Sequence, residues 1–117
     1  MRGSIIMPFA GLLGALGVAG AAYAAHGGDI RLVGVAAAIC LVHAPALLAL
    51  SIAAQQWRVF LVPATLWIVG VVLFSGDLAL RAIVTERLFA SAAPLGGSLL
   101  IVGWLSLGVV AFVPRHR

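Results

Sequence analysis

The sequence predicts an all-α integral membrane protein, a four-helix bundle in one domain over residues 1–117, with antiparallel up-down neighbours. Hydrophobic residues make up 64% of the chain and charged residues only 9%, whereas soluble domains are about a quarter charged. Four stretches reach the roughly 20 apolar residues that a membrane helix needs. Because the connections between them are short, consecutive helices are expected to pack as antiparallel neighbours. No ten-residue stretch alternates in polarity as barrel strands do.

The first predicted span covers residues 5–25 and carries no charge. It superficially resembles an export signal, because Arg2 precedes it and Ala22-Tyr23-Ala24 has the small-x-small form of a cleavage site. However, the uncharged run exceeds the apolar core of about 7–15 residues typical of such signals. Small residues at helical spacing let membrane helices approach closely. The sequence therefore favours a retained helix with a packing face of regularly spaced glycines: Gly11, Gly14, Gly17 and Gly20.

The second and third predicted spans contain the ionisable residues at membrane depth. The second, residues 32–54, has His43 at its middle, and the third, residues 59–80, has Asp77 one turn before its end. Aromatic and basic side chains commonly anchor helix ends at the lipid headgroups. Such anchors are predicted at the two ends of the third span: Trp57, Arg58 and Arg81.

The fourth predicted span covers residues 92–113 and again lacks charge. Ser91 is expected to cap its start, and Pro94 fits the first helical turn, where a missing N–H is tolerated. Glycines in a membrane helix indicate contact points for other helices. Three glycines of this span are predicted to serve this purpose: Gly96, Gly97 and Gly103.

Basic residues are few and scattered. The seven basic residues are all arginines, and the net charge is +4; nucleic-acid binding would require a basic patch or stripe, so it is not predicted. An even number of spans, four, places both termini on the same side of the membrane. That side has four arginines and the other side has three. The positive-inside rule then predicts that the termini lie in the cytoplasm of a bacterium, with the spans in its inner membrane. The four are Arg2, Arg58, Arg115 and Arg117.

Three sequence blocks resemble the YgdD family, small four-helix bacterial membrane proteins with eukaryotic relatives and no assigned function. They are GLLGALGVAGAAYAAHG at 11–27, VHAPALLAL at 42–50, and LFSGDLAL at 73–80 followed by APLGGSLLIVGWLSL at 93–107. Their order and spacing cover nearly the whole chain. The resemblance implies a membrane location and a four-helix fold, and it implies no reaction. The family usually has serine where this chain has Asp77, so the resemblance does not make Asp77 a family site.

Ionisable groups inside a bilayer are functional hypotheses by default. His43 is either a proton-relay or ligand-binding group, or a histidine that hydrogen-bonds across helices, and the second interpretation is favoured. His26, at the end of the first span, either caps that helix or contacts Asp77. Asp77 is expected to be neutralised by Arg81, four residues later on the same helix, or by His26. Together these residues form the candidate intramembrane polar site: His43, Asp77 and His26.

No arrangement typical of catalysis, metal binding or phosphate binding occurs in the sequence, so enzyme activity and cofactors are not predicted. The favoured function is that of a non-enzymatic membrane component, which acts through the lipid bilayer, through a second copy of this chain or through a partner membrane protein. Such a component could also be the membrane anchor or an assembly subunit of a larger complex. The alternative is a small transporter or channel using His43 and Asp77. A water-accessible cavity joining the polar residues would favour transport, and dry packing contacts would favour the structural role.

Overall fold

The computed structural model describes residues 2–27 and 31–114, in which helices predominate and no strand occurs. Single 3₁₀ turns, Arg2–Ile5 and Arg58–Phe60, precede the first and third long helices. All four long helices have the length and composition needed to cross a membrane. The predicted all-α, four-helix membrane fold is therefore confirmed. The long helices are α1 (Met7–His26), α2 (Arg31–Gln56), α3 (Leu61–Val84) and α4 (Ala92–Val110).

The helix ends differ from the predicted ones in the second half of the chain. Helix α3 continues to Val84 rather than to residue 80, because Arg81 pairs with Asp77 on the same helix and does not terminate it. It ends at Thr85, whose φ of 59° is left-handed. Helix α4 ends at Val110 rather than at 113. The predicted basic residues Arg115 and Arg117 lie outside the described residues.

The start of α4 departs from the prediction in one respect. Pro94 lies in its first turn, as predicted. The expectation that Ser91 caps the helix is wrong, because no side-chain hydrogen bond is made at that position. The helix begins instead with backbone bonds, in which the Ala92 N–H donates to the Phe89 carbonyl and the Leu95 N–H to the Ser91 carbonyl.

Helices α1 and α2 pack antiparallel along a line of small residues. As the residue number increases along α1, the number of the contacting residue on α2 decreases: Gly14 lies near Ala44, Gly17 near Leu41, and Gly20 near Ala37. The same pattern relates α3 to α4, where Gly70 approaches Gly96, and Trp67 lies against Gly103. Consecutive helices therefore have the antiparallel relation that short connections favour.

Helix α2 is the most buried of the four and α1 the least. The main helix pairs are α1 with α2, α2 with α3, and α3 with α4. An apolar groove of about 560 Å³ separates α1 from α3 and has α2 as its floor, and it is lined by residues that include Leu16, Ala37 and Val72. The largest cluster of buried apolar side chains draws more of its residues from α2 than from any other helix, and α1 contributes Ala10 and Leu13 to it.

Candidate functional site

His43 lies at the middle of α2 and is buried, with 2% of its surface exposed. Its Nδ1 is 2.8 Å from the Ile39 carbonyl oxygen, and its Nε2 is 3.1 Å from Trp104 Nε1. An indole N–H can only donate a hydrogen bond, so Nε2 must be the acceptor and Nδ1 must hold the proton. Both ring nitrogens of the neutral imidazole are thus satisfied. A second proton, at Nε2, would turn that nitrogen into a donor facing the indole N–H of Trp104, which is also a donor.

Two tryptophans from different helices surround His43. The centroid of its ring lies 5.6 Å from that of Trp67 on α3 and 5.8 Å from that of Trp104 on α4, and the two indoles are 4.3 Å apart. Offset and edge-on aromatic arrangements of this kind are favourable. We call His43, Trp67 and Trp104 the aromatic cluster. It joins α2, α3 and α4 near the middle of the membrane span.

Trp67 was not among the predicted site residues, although it is only 1% exposed. Tryptophan is enriched at membrane interfaces, so its position well inside the third span was a signal that it packs within the protein. Its Nε1 has no hydrogen-bond partner among the described residues. A Cβ at Gly103 would lie 2.5 Å from Trp67 Cδ1 and 2.7 Å from Nε1. The absence of a side chain at position 103 therefore makes room for the indole ring.

Asp77 is equally buried, but it lies near the end of α3. Its Oδ1 accepts a hydrogen bond of 2.9 Å from the Leu88 N–H, and its Oδ2 is 3.3 Å from Arg81 Nε. Leu88 belongs to the connection between α3 and α4, so the carboxylate holds this connection against the helix. Of the two predicted counter-charges, the structure places Arg81 next to Asp77.

His26 occupies a separate position at the exposed end of α1. Its Nδ1 is 2.9 Å from the Ala22 carbonyl oxygen of its own helix, an arrangement typical of a histidine that satisfies the last carbonyls of a helix. Among the described residues, no hydrogen bond or ion pair joins His26, His43 and Asp77. The structure therefore does not bring the three predicted polar residues together into one site.

A pocket with charged side chains at one end opens beside Asp77, between α3, α4 and their connection, with a volume of about 570 Å³. Arg81 and Arg87 line it together with Asp77, and its other end is formed by Phe74 and Ile101. Within residues 2–27 and 31–114, no group of three or more His, Cys, Asp or Glu side chains is placed to hold a metal ion.

The predicted glycines and anchors lie at different kinds of contact. A Cβ at Gly96 would lie 2.5 Å from the Phe74 amide nitrogen, whereas one at Gly97 would touch only the Phe74 ring at 3.6 Å, and one at Gly11 would meet nothing within 4 Å. Gly70, which the sequence interpretation missed, faces the backbone of Gly96.

The predicted anchors Trp57 and Arg58 lie in the α2–α3 connection, where Trp57 packs edge-on against Phe60.

Comparisons with known proteins agree on the kind of protein. The model of a family described as "Protein of unknown function (DUF423)" matches residues 13–97. A UPF0382 membrane protein of Haemophilus influenzae is 32% identical over 71 residues, which are 60% of this chain and 57% of that protein. A UPF0382 membrane protein of Staphylococcus saprophyticus is 44% identical over 43 residues, 37% of this chain and 36% of that protein. The matched part of this chain thus spans 57% of the first relative's length and 36% of the second's. No solved structure matches it significantly.

Proposed function

Because the chain belongs to the DUF423 family, whose function is unknown, we propose that it is a non-enzymatic, multi-pass component of the bacterial inner membrane. It acts through contacts with lipids or with other membrane proteins, and both of its termini lie in the cytoplasm. The sequence blocks described above support a further assignment within the family to YgdD-like members. The membrane location is supported by relatives named as bacterial membrane proteins.

The aromatic cluster is the observation that carries this proposal. A proton relay needs a histidine that can exchange protons with water or with a second titratable group. Both nitrogens of His43 are already bonded, to the Ile39 carbonyl and to Trp104, and its remaining neighbours include the indole ring of Trp67 in an edge-on arrangement. This environment favours a histidine that fixes the packing of three helices over one that transports protons.

The location of Asp77 supports the same interpretation. The carboxylate is bonded to the Leu88 amide and to Arg81, and so completes the turn between α3 and α4. Transport through His43 and Asp77 would need a polar path between the middle of α2 and the end of α3. The hydrogen bonds and ion pair described for these residues do not link them to each other.

A double-mutant cycle tests the structural role of His43. His43→Ala and Trp104→Phe each remove one partner of the hydrogen bond, and the free energy of unfolding in detergent is measured for both single variants and the double variant. We expect a coupling energy between about 0.6 and about 1.7 kcal/mol, the average and the largest value measured for interhelical hydrogen bonds in a membrane protein. Trp57→Phe, a tryptophan change outside the cluster, is the control and should show no coupling to His43→Ala.

The transport alternative is tested with the same proteins in liposomes that carry a pH gradient. We expect the gradient to decay no faster with the wild-type protein than with lipid alone. A faster decay that His43→Ala abolishes, with the variant still folded, would replace the proposed function by proton-coupled transport.

A further inference from the structure

The pocket between α3 and α4 has two chemically different ends. Arg81, Arg87 and Asp77 are at the end near the helix connection, whereas Phe74, Gly97 and Ile101 line the part that reaches along the helices. From Ala93 to Ile101 on α4 the pocket descends about 12 Å at 1.5 Å per residue. This depth approaches the thickness of one hydrocarbon leaflet, about 15 Å.

The charged end has an excess of positive charge. Arg81 is matched by Asp77 at 3.3 Å, while Arg87 is exposed and forms no ion pair among the described residues. The three charged lining groups therefore sum to +1. Glu86, the acid next to Arg87, is exposed and does not line the pocket.

Guanidinium groups bind phosphate oxygens through paired N–H donors. A soluble phosphate would occupy only the charged end, whereas a phospholipid would also place an acyl chain along Phe74 and Ile101. A monoanionic headgroup would balance the net charge of the lining, and a zwitterionic headgroup would add an ammonium beside two arginines.

We propose that this pocket binds an anionic phospholipid, whose phosphate lies between Arg81 and Arg87 and whose acyl chain follows the groove between α3 and α4. The inference rests on the proposed function as a lipid-contacting membrane component and names the class of lipid. It assigns Arg87 a binding role, and it assigns Arg81 two roles, because that side chain also neutralises Asp77.

The test is titration of the purified, delipidated protein in detergent with phosphatidylglycerol, followed by native mass spectrometry and by thermal melting. We expect saturable binding and a higher melting temperature with phosphatidylglycerol, and no such rise with phosphatidylcholine or inorganic phosphate at the same concentration. Arg87→Gln should weaken phosphatidylglycerol binding about fivefold, the effect of one arginine near an anionic lipid. Because Arg81→Gln also removes the partner of Asp77, Arg87→Gln is the decisive variant.

Arg58→Gln is the matched control, since Arg58 is an exposed arginine in the α2–α3 connection and does not line the pocket. It should leave phosphatidylglycerol binding unchanged. Equal weakening by both substitutions would overturn the proposal in favour of diffuse attraction, and an equal rise in melting temperature with inorganic phosphate would identify a free-phosphate site instead. Failure here is distinguishable from failure of the proposed function, because the liposome assay reports proton movement through His43 and needs no lipid selectivity.

Discussion

The two helical hairpins of this protein are built by different means. In the α1–α2 hairpin, small residues meet mainly side chains, and the closest approach is between Gly17 and Leu41. Among the described residues, the hydrogen bond of the His26 side chain stays within α1. In the α3–α4 hairpin, backbone meets backbone at Gly70 and Gly96. A side chain can rotate to relieve a close contact, whereas two helix backbones cannot, so the second hairpin tolerates less change.

Polar interactions follow the same division. Asp77 secures the connection of the α3–α4 hairpin, and the aromatic cluster joins this hairpin to α2. The Ser75 hydroxyl on α3 also donates a buried hydrogen bond of 3.0 Å to the Ala36 carbonyl on α2. In hydrocarbon, close packing and interhelical hydrogen bonds replace the hydrophobic effect as the forces that join helices. We therefore expect α2, α3 and α4 to form the rigid part of the molecule, with α1 more easily displaced.

The largest effect is expected from a methyl group at the α3–α4 contact. In Gly96→Ala the new Cβ would lie 2.5 Å from the Phe74 amide nitrogen and 2.7 Å from the Gly70 carbonyl oxygen. The helices must separate, and we expect a loss of about 3 kcal/mol in the free energy of unfolding, at the upper end for overpacking. The measurement is SDS titration in mixed micelles. Gly108→Ala, on the same helix with nothing within 4 Å of its Cβ, is the control; similar losses for both would contradict the backbone-contact interpretation.

A smaller loss is expected when the connection of this hairpin is released. Asp77→Ala leaves the Leu88 N–H and Arg81 without their partner, and we expect it to lower the free energy of unfolding by about 2 kcal/mol. Asp77→Asn keeps an acceptor for the Leu88 N–H and should cost less, since the ion pair with the partly exposed Arg81 contributes little. Hydrogen exchange at residues 85–91 should rise in Asp77→Ala. Unaltered exchange there would show that the carboxylate does not hold the connection.

The smallest effects are expected in the α1–α2 hairpin. A Cβ at Gly17 would meet Leu41 Cγ at 2.7 Å and the Leu41 amide nitrogen at 3.2 Å, so the side chain must rotate and the backbone must move slightly, less than at Gly96. We therefore expect Gly17→Ala to cost about 1 kcal/mol, measured by the same SDS titration, and Gly11→Ala to change stability by less than about 0.5 kcal/mol. If Gly17→Ala destabilises the protein as much as Gly96→Ala, the contrast between the two hairpins is wrong.

The spacing of the glycines predicted contact residues without predicting how tight each contact is. Gly11 and Gly17 look alike in the sequence, yet one faces open space and the other faces Leu41. The repeat of three residues drifts around a helix that turns every 3.6 residues, so equally spaced glycines cannot all face the same neighbour. Trp67 and Gly70 were missed because their importance depends on what α4 places opposite them.

The sequence by itself determined the membrane fold, because only helices can satisfy backbone hydrogen bonds across four apolar stretches of this length. It also placed His43 at mid-depth and Asp77 one turn before the predicted end of the third span, since depth follows from position along a helix. Only the tertiary structure decided the partners of these residues: Trp104 for His43, and Leu88 and Arg81 for Asp77. The choice between a transported proton and a fixed hydrogen bond depends on those partners, which come together through the rotation and packing of separate helices.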